Sequence, residues 1–204
     1  MSPTPKRTSR PNVPELCDAV EAELKASIQV KLRLFQDQVG DITQGVRLWH
    51  DTLRRGGKIL FCGNGGSAAD CQHIATELVV RLERNRRALP AVALTTDTSI
   101  LTAAANDFGF EQVFVRQVEA LGRRGDLLVA ISTSGRSRNV LLAAAAARKL
   151  GMRVLALTGR APNVLARRAH LALAVPSRDT QRIQEAHITL LHILAGQTER
   201  LLLP

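Results

Sequence analysis

The chain has 204 residues, 45% of them apolar, which is enough for one domain with a substantial core and an added helical arm. Lys and Arg number 28 against 18 Asp and Glu, a formal charge of +10, but the basic pairs (Arg54-Arg55, Arg86-Arg87, Arg123-Arg124, Arg167-Arg168) are scattered and read as a solvated surface that attracts anionic substrates. One Trp (Trp49) and no Tyr argue against stacking on nucleic acid, the lack of a long apolar run argues against a membrane span, and three Cys (Cys17, Cys62, Cys71) without CxxC spacing argue for a reducing cytoplasm.

Residues 1–14 hold Pro, Ser and basic residues without an apolar stretch, and are predicted to be a disordered basic tail. Residues 15–204 form the folded domain, opening with a helical arm over 15–56. In the arm Leu16, Val20, Leu24, Ile28, Val30, Leu32, Leu34, Phe35 and Val39 recur, mostly at three- and four-residue steps. Gly40-Asp41 is predicted to break the arm into two helices, and Gly56-Gly57 to end the second. Alternation follows. Lys58–Cys62 is predicted as a strand, Ser67–Arg84 as a helix, Pro90–Thr95 as a strand, and Ser99–Asn106 and Glu111–Leu121 as helices. Asp126–Ser132, Arg153–Thr158 and Ala169–Val175 complete the strands; Arg138–Leu150, Asn163–Arg168 and Thr180–Leu202 complete the helices. Continuous apolar strands between helices mean an α/β fold, a parallel five-stranded sheet flanked by helices. Ligands of such sheets bind outside the carboxyl ends of the strands.

Two polar blocks fall at those ends. Gly63-Asn64-Gly65-Gly66-Ser67 follows the first strand. It is neither a GxGxxG fingerprint nor a Walker loop, and alone would be only a tight turn; Ser67 is a candidate helix cap. Ser132-Thr133-Ser134-Gly135-Arg136-Ser137 puts four hydroxyls at a strand end and a helix start, which suits the acceptor oxygens of a phosphate. Asp70, His73 and Glu77 share one helical face just after the first block, a spacing that also permits a plain surface hydrogen bond. In the closing helix His187 and His192 lie among Ile188, Leu190, Leu191, Ile193 and Leu194, where burial alone accounts for a histidine; His50 and His170 read as structural.

Together these blocks, with Leu94-Thr95-Thr96-Asp97, Ala105-Asn106-Asp107-Phe108-Gly109 and Arg182-Ile183-Gln184-Glu185-Ala186-His187, resemble the sugar isomerase (SIS) domain family and, within it, the phosphoheptose isomerase (sedoheptulose 7-phosphate isomerase) family. The resemblance covers nearly all of the chain after the tail. It implies an aldose–ketose isomerase that converts sedoheptulose 7-phosphate to D-glycero-D-manno-heptose 7-phosphate through an enediol. That reaction begins ADP-heptose-type nucleotide-sugar biosynthesis, as for a lipopolysaccharide precursor. It further implies a cytoplasmic homotetramer with one zinc ion per subunit.

Carried over position by position, the resemblance makes His73, Glu77, Gln184 and His192 the zinc ligands. Asn64, Gly65, Gly66, Glu77, Asn106, Asp107, Ser132, Thr133, Ser134, Ser137 and Gln184 become the substrate contacts, and Glu77 and His192 the acid/base pair. Isomerisation moves one proton between adjacent carbons and another between adjacent oxygens. Glu77 would serve the carbons and His192 the oxygens, or the reverse. Two rivals share the family: proteins that keep the fold and bind the replication initiator DnaA, from which the Glu77 and His192 pair would separate this chain, and arabinose 5-phosphate isomerases, which usually carry further C-terminal domains. The arm offers more apolar positions than one sheet can cover, so it is expected to pack between subunits and bring neighbouring residues to each site.

Overall fold

Five short segments carry the fold: Ile59–Cys62 (β1), Ala91–Ala93 (β2), Leu127–Ser132 (β3), Arg153–Thr158 (β4) and Leu171–Ala174 (β5). All pair in parallel, in the order β2-β1-β3-β4-β5. The computed structural model describes residues 12–203, so positions 1–11 of the expected tail lie outside the described residues. The helices are Val13–Arg54 (α1), Gly66–Val79 (α2), Thr98–Phe108 (α3), Val113–Leu121 (α4), Arg138–Lys149 (α5), Val164–Arg168 (α6) and Thr180–Leu202 (α7). No helix among the described residues is long and apolar enough to cross a membrane.

Because strand side chains alternate between faces, each central strand feeds two cores. Ile59, Phe61, Val129, Ile131, Leu155 and Leu157 face α1, α2 and α7, where Trp49, Ile74 and Leu190 close over them. Leu60, Cys62, Leu128, Ala130, Val154 and Ala156 face α3 to α6. Trp49 is fully buried and meets Phe61 edge-on, with ring centroids 5.5 Å apart. At the amino edge of the sheet the Asp126 carboxylate accepts the backbone N–H groups of Lys58 and Arg123 and pairs with the Lys58 ammonium, tying the start of β1 to that of β3.

Several expectations are corrected. The first is the break at Gly40-Asp41, because α1 runs through it without interruption. One helical glycine costs about 1 kcal/mol relative to alanine, and the flanks are fixed to one body. Gln38 donates to the Ala174 carbonyl on β5 at 2.7 Å, and Gly45 presses on Leu194 of α7. The helix also starts at Val13 rather than Glu15. Asn12 accepts the Glu15 N–H while the Glu15 side chain accepts the Asn12 N–H, a reciprocal cap.

The second correction is that α2 stops at Val79, not Arg84. The Glu199 carboxylate on α7 accepts the backbone N–H groups of Leu82, Glu83 and Arg84, and so takes them out of a helical ladder. The third is that Ser67 is not the cap of α2. Gly65 occupies that position at φ +56°, and Ser67 is buried one residue inside the helix.

His187 is fully buried, and its Nε2 donates to the Thr158 carbonyl at the end of β4 at 3.1 Å. Burial pulls its pKa from 6.5 down to about 4, partly opposed by that hydrogen bond. Between those pH values the unfolded chain binds a proton that the folded protein excludes, so stability is full above the upper value and falls as pH drops toward the lower one. The loss is on the order of 3 kcal/mol over the whole window. Melting curves at pH 7.5 and pH 5 should show a lower Tm at pH 5, and His187→Gln should flatten that difference. An unchanged difference in the variant would assign it to other groups.

Candidate active site

The first polar block leaves β1 as a turn whose shape is set by glycine. Gly65 needs its positive φ, and at Gly66 a Cβ would collide with the side-chain amide of Gln184, which reaches over from α7. The turn is joined to the second block by a reciprocal amide pair. Asn64 Nδ2 donates to Asn139 Oδ1 at 2.9 Å, and Asn139 Nδ2 returns the bond to Asn64 Oδ1 at 2.8 Å. Asn139 lies in the first turn of α5, so the pair fixes the two Gly/Ser turns beside each other. Nothing in sequence spacing marks Asn139, because its partner lies 75 residues away.

In the second block the hydroxyls converge. Ser132 Oγ lies 2.9 Å from Ser137 Oγ and 3.4 Å from Ser134 Oγ, and Ser134 Oγ accepts the Arg136 N–H. Ser137 is the N-cap of α5, yet its hydroxyl bonds no helix N–H. Hydroxyls and unpaired amides at a helix start form a neutral donor cradle for an oxyanion.

The titratable cluster lies on the seam between α2 and α7. His73 Nε2 is 3.0 Å from Glu77 Oε1, His192 Nε2 is 3.2 Å from the same oxygen, and the two Nε2 atoms are 3.3 Å apart. Glu77 Oε2 is buried without a partner among the described residues. Both imidazoles are about half exposed, at 51% for His73 and 42% for His192. The structure therefore separates the histidines of α7: His187 is the core residue and His192 the site residue.

Two nitrogens and one oxygen within 4.8 Å of one another form a candidate metal centre. A tetrahedral ion with bonds of about 2.0–2.1 Å spaces its ligands roughly 3.3 Å apart, close to the spacing found. The unpartnered Glu77 Oε2 fits the same reading. Asp70 stands one turn before His73; burial raises its carboxyl pKa, the charges of His73 and His192 oppose the shift, and its Oδ2 is also unpartnered. Thiolate chemistry has no place here: burial pushes the Cys62 thiol up to about 12 and raises that of Cys71 as well.

Of the positions predicted from sequence, His73, Glu77 and His192 meet directly, and Asn64, Gly65, Gly66 and Gln184 meet at the start of α2. Ser132, Ser134 and Ser137 bring their hydroxyls together, while Thr133 accepts the Gly159 N–H through its backbone carbonyl. Gln184 makes no described contact with His73, Glu77 or His192. Asn106 and Asp107 lie exposed on α3, which belongs to the other helical layer, and hydrogen-bond each other at 2.8 Å.

Comparison with known proteins gives a consistent picture. The SIS domain family model matches residues 24–159. The phosphoheptose isomerase of Roseiflexus sp. (strain RS-1) is 54% identical over 180 residues, 88% of this chain and 91% of the relative. That of Geobacter sulfurreducens is 51% identical over 189 residues, 93% of this chain and the whole of the relative. Among solved structures, phosphoheptose isomerase GmhA from Neisseria gonorrhoeae superimposes with a TM-score of 0.86 at 46% identity, covering 91% of this chain and 99% of its own.

Proposed function

Since the chain belongs to the SIS-domain family, on its phosphoheptose isomerase branch, we propose that it interconverts sedoheptulose 7-phosphate and D-glycero-D-manno-heptose 7-phosphate. The enzyme is an aldose–ketose isomerase. The observation that carries the assignment to this site is the contact of Glu77 Oε1 with both His73 and His192. That pair was the feature expected to separate an isomerase from a DnaA-binding relative, and no observation favours the binding reading.

The chemistry follows from the donors available. The hydroxyl cradle of Ser132, Ser134 and Ser137, with Thr133 between them in the loop, holds the phosphate, and the N-terminus of α5 adds its positive end. That fixes one end of an extended sugar. Asn64, Gly65, Gly66 and Gln184 then meet the chain near its reacting carbons. The Glu77 carboxylate takes a proton from C1 of the ketose and returns it to C2, while His192 passes the proton of the O1 hydroxyl to O2. The C1–H bond breaks and the C2–H bond forms, so the sum is a 1,2-shift through an enediol. The contact supports pairing the two roles: Glu77 Oε1 lies between the imidazoles, so the carboxylate that would move the carbon proton touches the imidazole that would move the oxygen proton.

His73, Glu77, Gln184 and His192 would hold one zinc ion per subunit, and when bound it would supply Lewis-acid polarisation of the carbonyl. Asp70, beside both imidazoles, adds negative charge that favours a cation there. The phosphorylated intermediates and unpaired cysteines suit a cytoplasmic enzyme. Expected for Glu77→Gln and His192→Gln is a loss of turnover of about 10²–10⁴-fold with an unchanged circular dichroism spectrum. Near wild-type turnover by either folded variant would remove that residue from the mechanism.

The site is also proposed to be completed by assembly. α1 is roughly 60 Å long, and Arg182 of α7 holds it at Glu23, by a hydrogen bond to the Glu23 carbonyl at 2.6 Å. Val30 and Leu34 face the core, but Leu16, Val20, Leu24, Ile28, Leu32, Phe35 and Val39 are exposed on a single chain. An apolar stripe of this length favours burial in a helical bundle between subunits, here a homotetramer. The half-exposed imidazoles and the outlying Asn106-Asp107 pair favour a neighbouring chain at the site mouth. A Leu24→Glu, Leu32→Glu double variant should dissociate by light scattering and lose most of its activity; a fully active monomer would contradict the arrangement.

A further inference from the structure

The loop after α2 contains an ion pair that the chemistry above does not use. Arg86 and Glu199 are 2% and 1% exposed, with Arg86 Nε donating to Glu199 Oε1 at 2.8 Å. Arg86 Nη2 donates to the Glu77 carbonyl and Nη1 to the Leu78 carbonyl, both at 2.8 Å, and Nη1 also reaches the Arg87 carbonyl at 3.1 Å. The Glu77 and Leu78 carbonyls are ones that a helix end leaves without internal partners, and a cation there complements the negative end of the helix. Burial works against the Glu199 charge, but the N–H groups of Glu83, Leu82 and Arg84, with the Arg86 guanidinium, hold its carboxyl below the ordinary range. A charged pair this deep is costly to bury, and almost every donor and acceptor in it is used.

We infer that Arg86, anchored by Glu199, is a positioning residue for isomerisation: it holds the last turn of α2, and with it Glu77, against α7. The placement carries the argument. His73 and Glu77 are on α2, while Gln184 and His192 are on α7. At the amino end of this seam Gly66 abuts Gln184. At the carboxyl end Glu199, seven residues beyond His192, grips the loop whose arginine grips Glu77's own carbonyl. The two halves of the proton-transfer pair are thus set in register from both ends. The inference rests on the assignment of Glu77 and His192 as the acid/base pair. A misplacement of the order of 1 Å in such a pair can cost about 10²-fold in rate.

Three variants test this in the full-length enzyme: Arg86→Lys, which keeps the charge but not the forked geometry, Glu199→Gln, which keeps the shape but not the charge, and Val118→Ala, in the core on the other face of the sheet, as a destabilised control. The clamp variants should lose about tenfold to a hundredfold in kcat with KM within about twofold, because the phosphate cradle is untouched. Hydrogen exchange at the amides of residues 76–80 should quicken beyond that of the control, which should keep its kcat. Clamp variants that melt lower but keep wild-type kcat, or that fail to accumulate folded while the control does, would make the pair a stability element and overturn the inference. A folded, active Glu77→Gln would instead overturn the functional assignment on which it rests.

Discussion

The proposed proton-transfer pair is split between two helices and works only if those helices are held in register. Glu77 rises from α2 and His192 from α7, and their contact at 3.2 Å depends on two elements that start more than a hundred residues apart. The fold meets this demand by growing both helices from parallel strands and pressing them against the same sheet face. Ile74 and Leu78 of α2 and Leu190, Leu191 and Leu194 of α7 share one core with Phe61 and Val129. Packing at native density leaves little freedom for sliding, and the polar contacts at the two ends of the seam fix what remains.

The polar parts of the site are then distributed by chemistry. Neutral donors gather at the ends of β1 and β3, where helix starts already present unpaired N–H groups and a phosphate can be held without a buried countercharge. The ionisable groups stand a helix turn or more further along, where a carboxylate can lie between two imidazoles. The Asn64–Asn139 amide pair connects the two regions. Its reciprocal bonds tie the turn that starts α2 to the helix that follows the Ser132–Ser137 hydroxyls, so the distance from the proposed phosphate cradle to the proposed acid/base pair is built into the scaffold. That suits an extended seven-carbon substrate gripped at one end and transformed at the other.

Much of this was legible in the sequence because it is local. Each strand is an apolar run ended by Gly, Pro or polar residues, and β4 and α7 fall where the pattern placed them. The Ser132–Ser137 hydroxyls announce themselves by density. What stayed hidden depends on partners distant in sequence. Gly40 looks like a break until Gln38 and Gly45 are seen fastened to β5 and α7. The end of α2 is decided by Glu199, 116 residues from the Glu83 amide it accepts, while the basic run Arg84-Asn85-Arg86-Arg87 looks like solvated surface. His187 and His192 both precede an isoleucine on the same helix, and the fold shows that one is sealed against Thr158 while the other opens on Glu77. The roles of Asn106 and Asp107 are legible only through family resemblance, since in one chain they stand apart from the cluster.

The most direct measurement is proton NMR of sedoheptulose 7-phosphate incubated with the enzyme in D₂O. The account predicts new anomeric signals from the aldoheptose 7-phosphate, solvent deuterium at its C2, and exchange of a C1 hydrogen in the remaining ketose, because an enediol passes its carbon proton through a carboxylate that can trade with solvent. Unchanged ketose spectra with no deuterium uptake, from a protein shown to be folded and supplied with zinc, would contradict it.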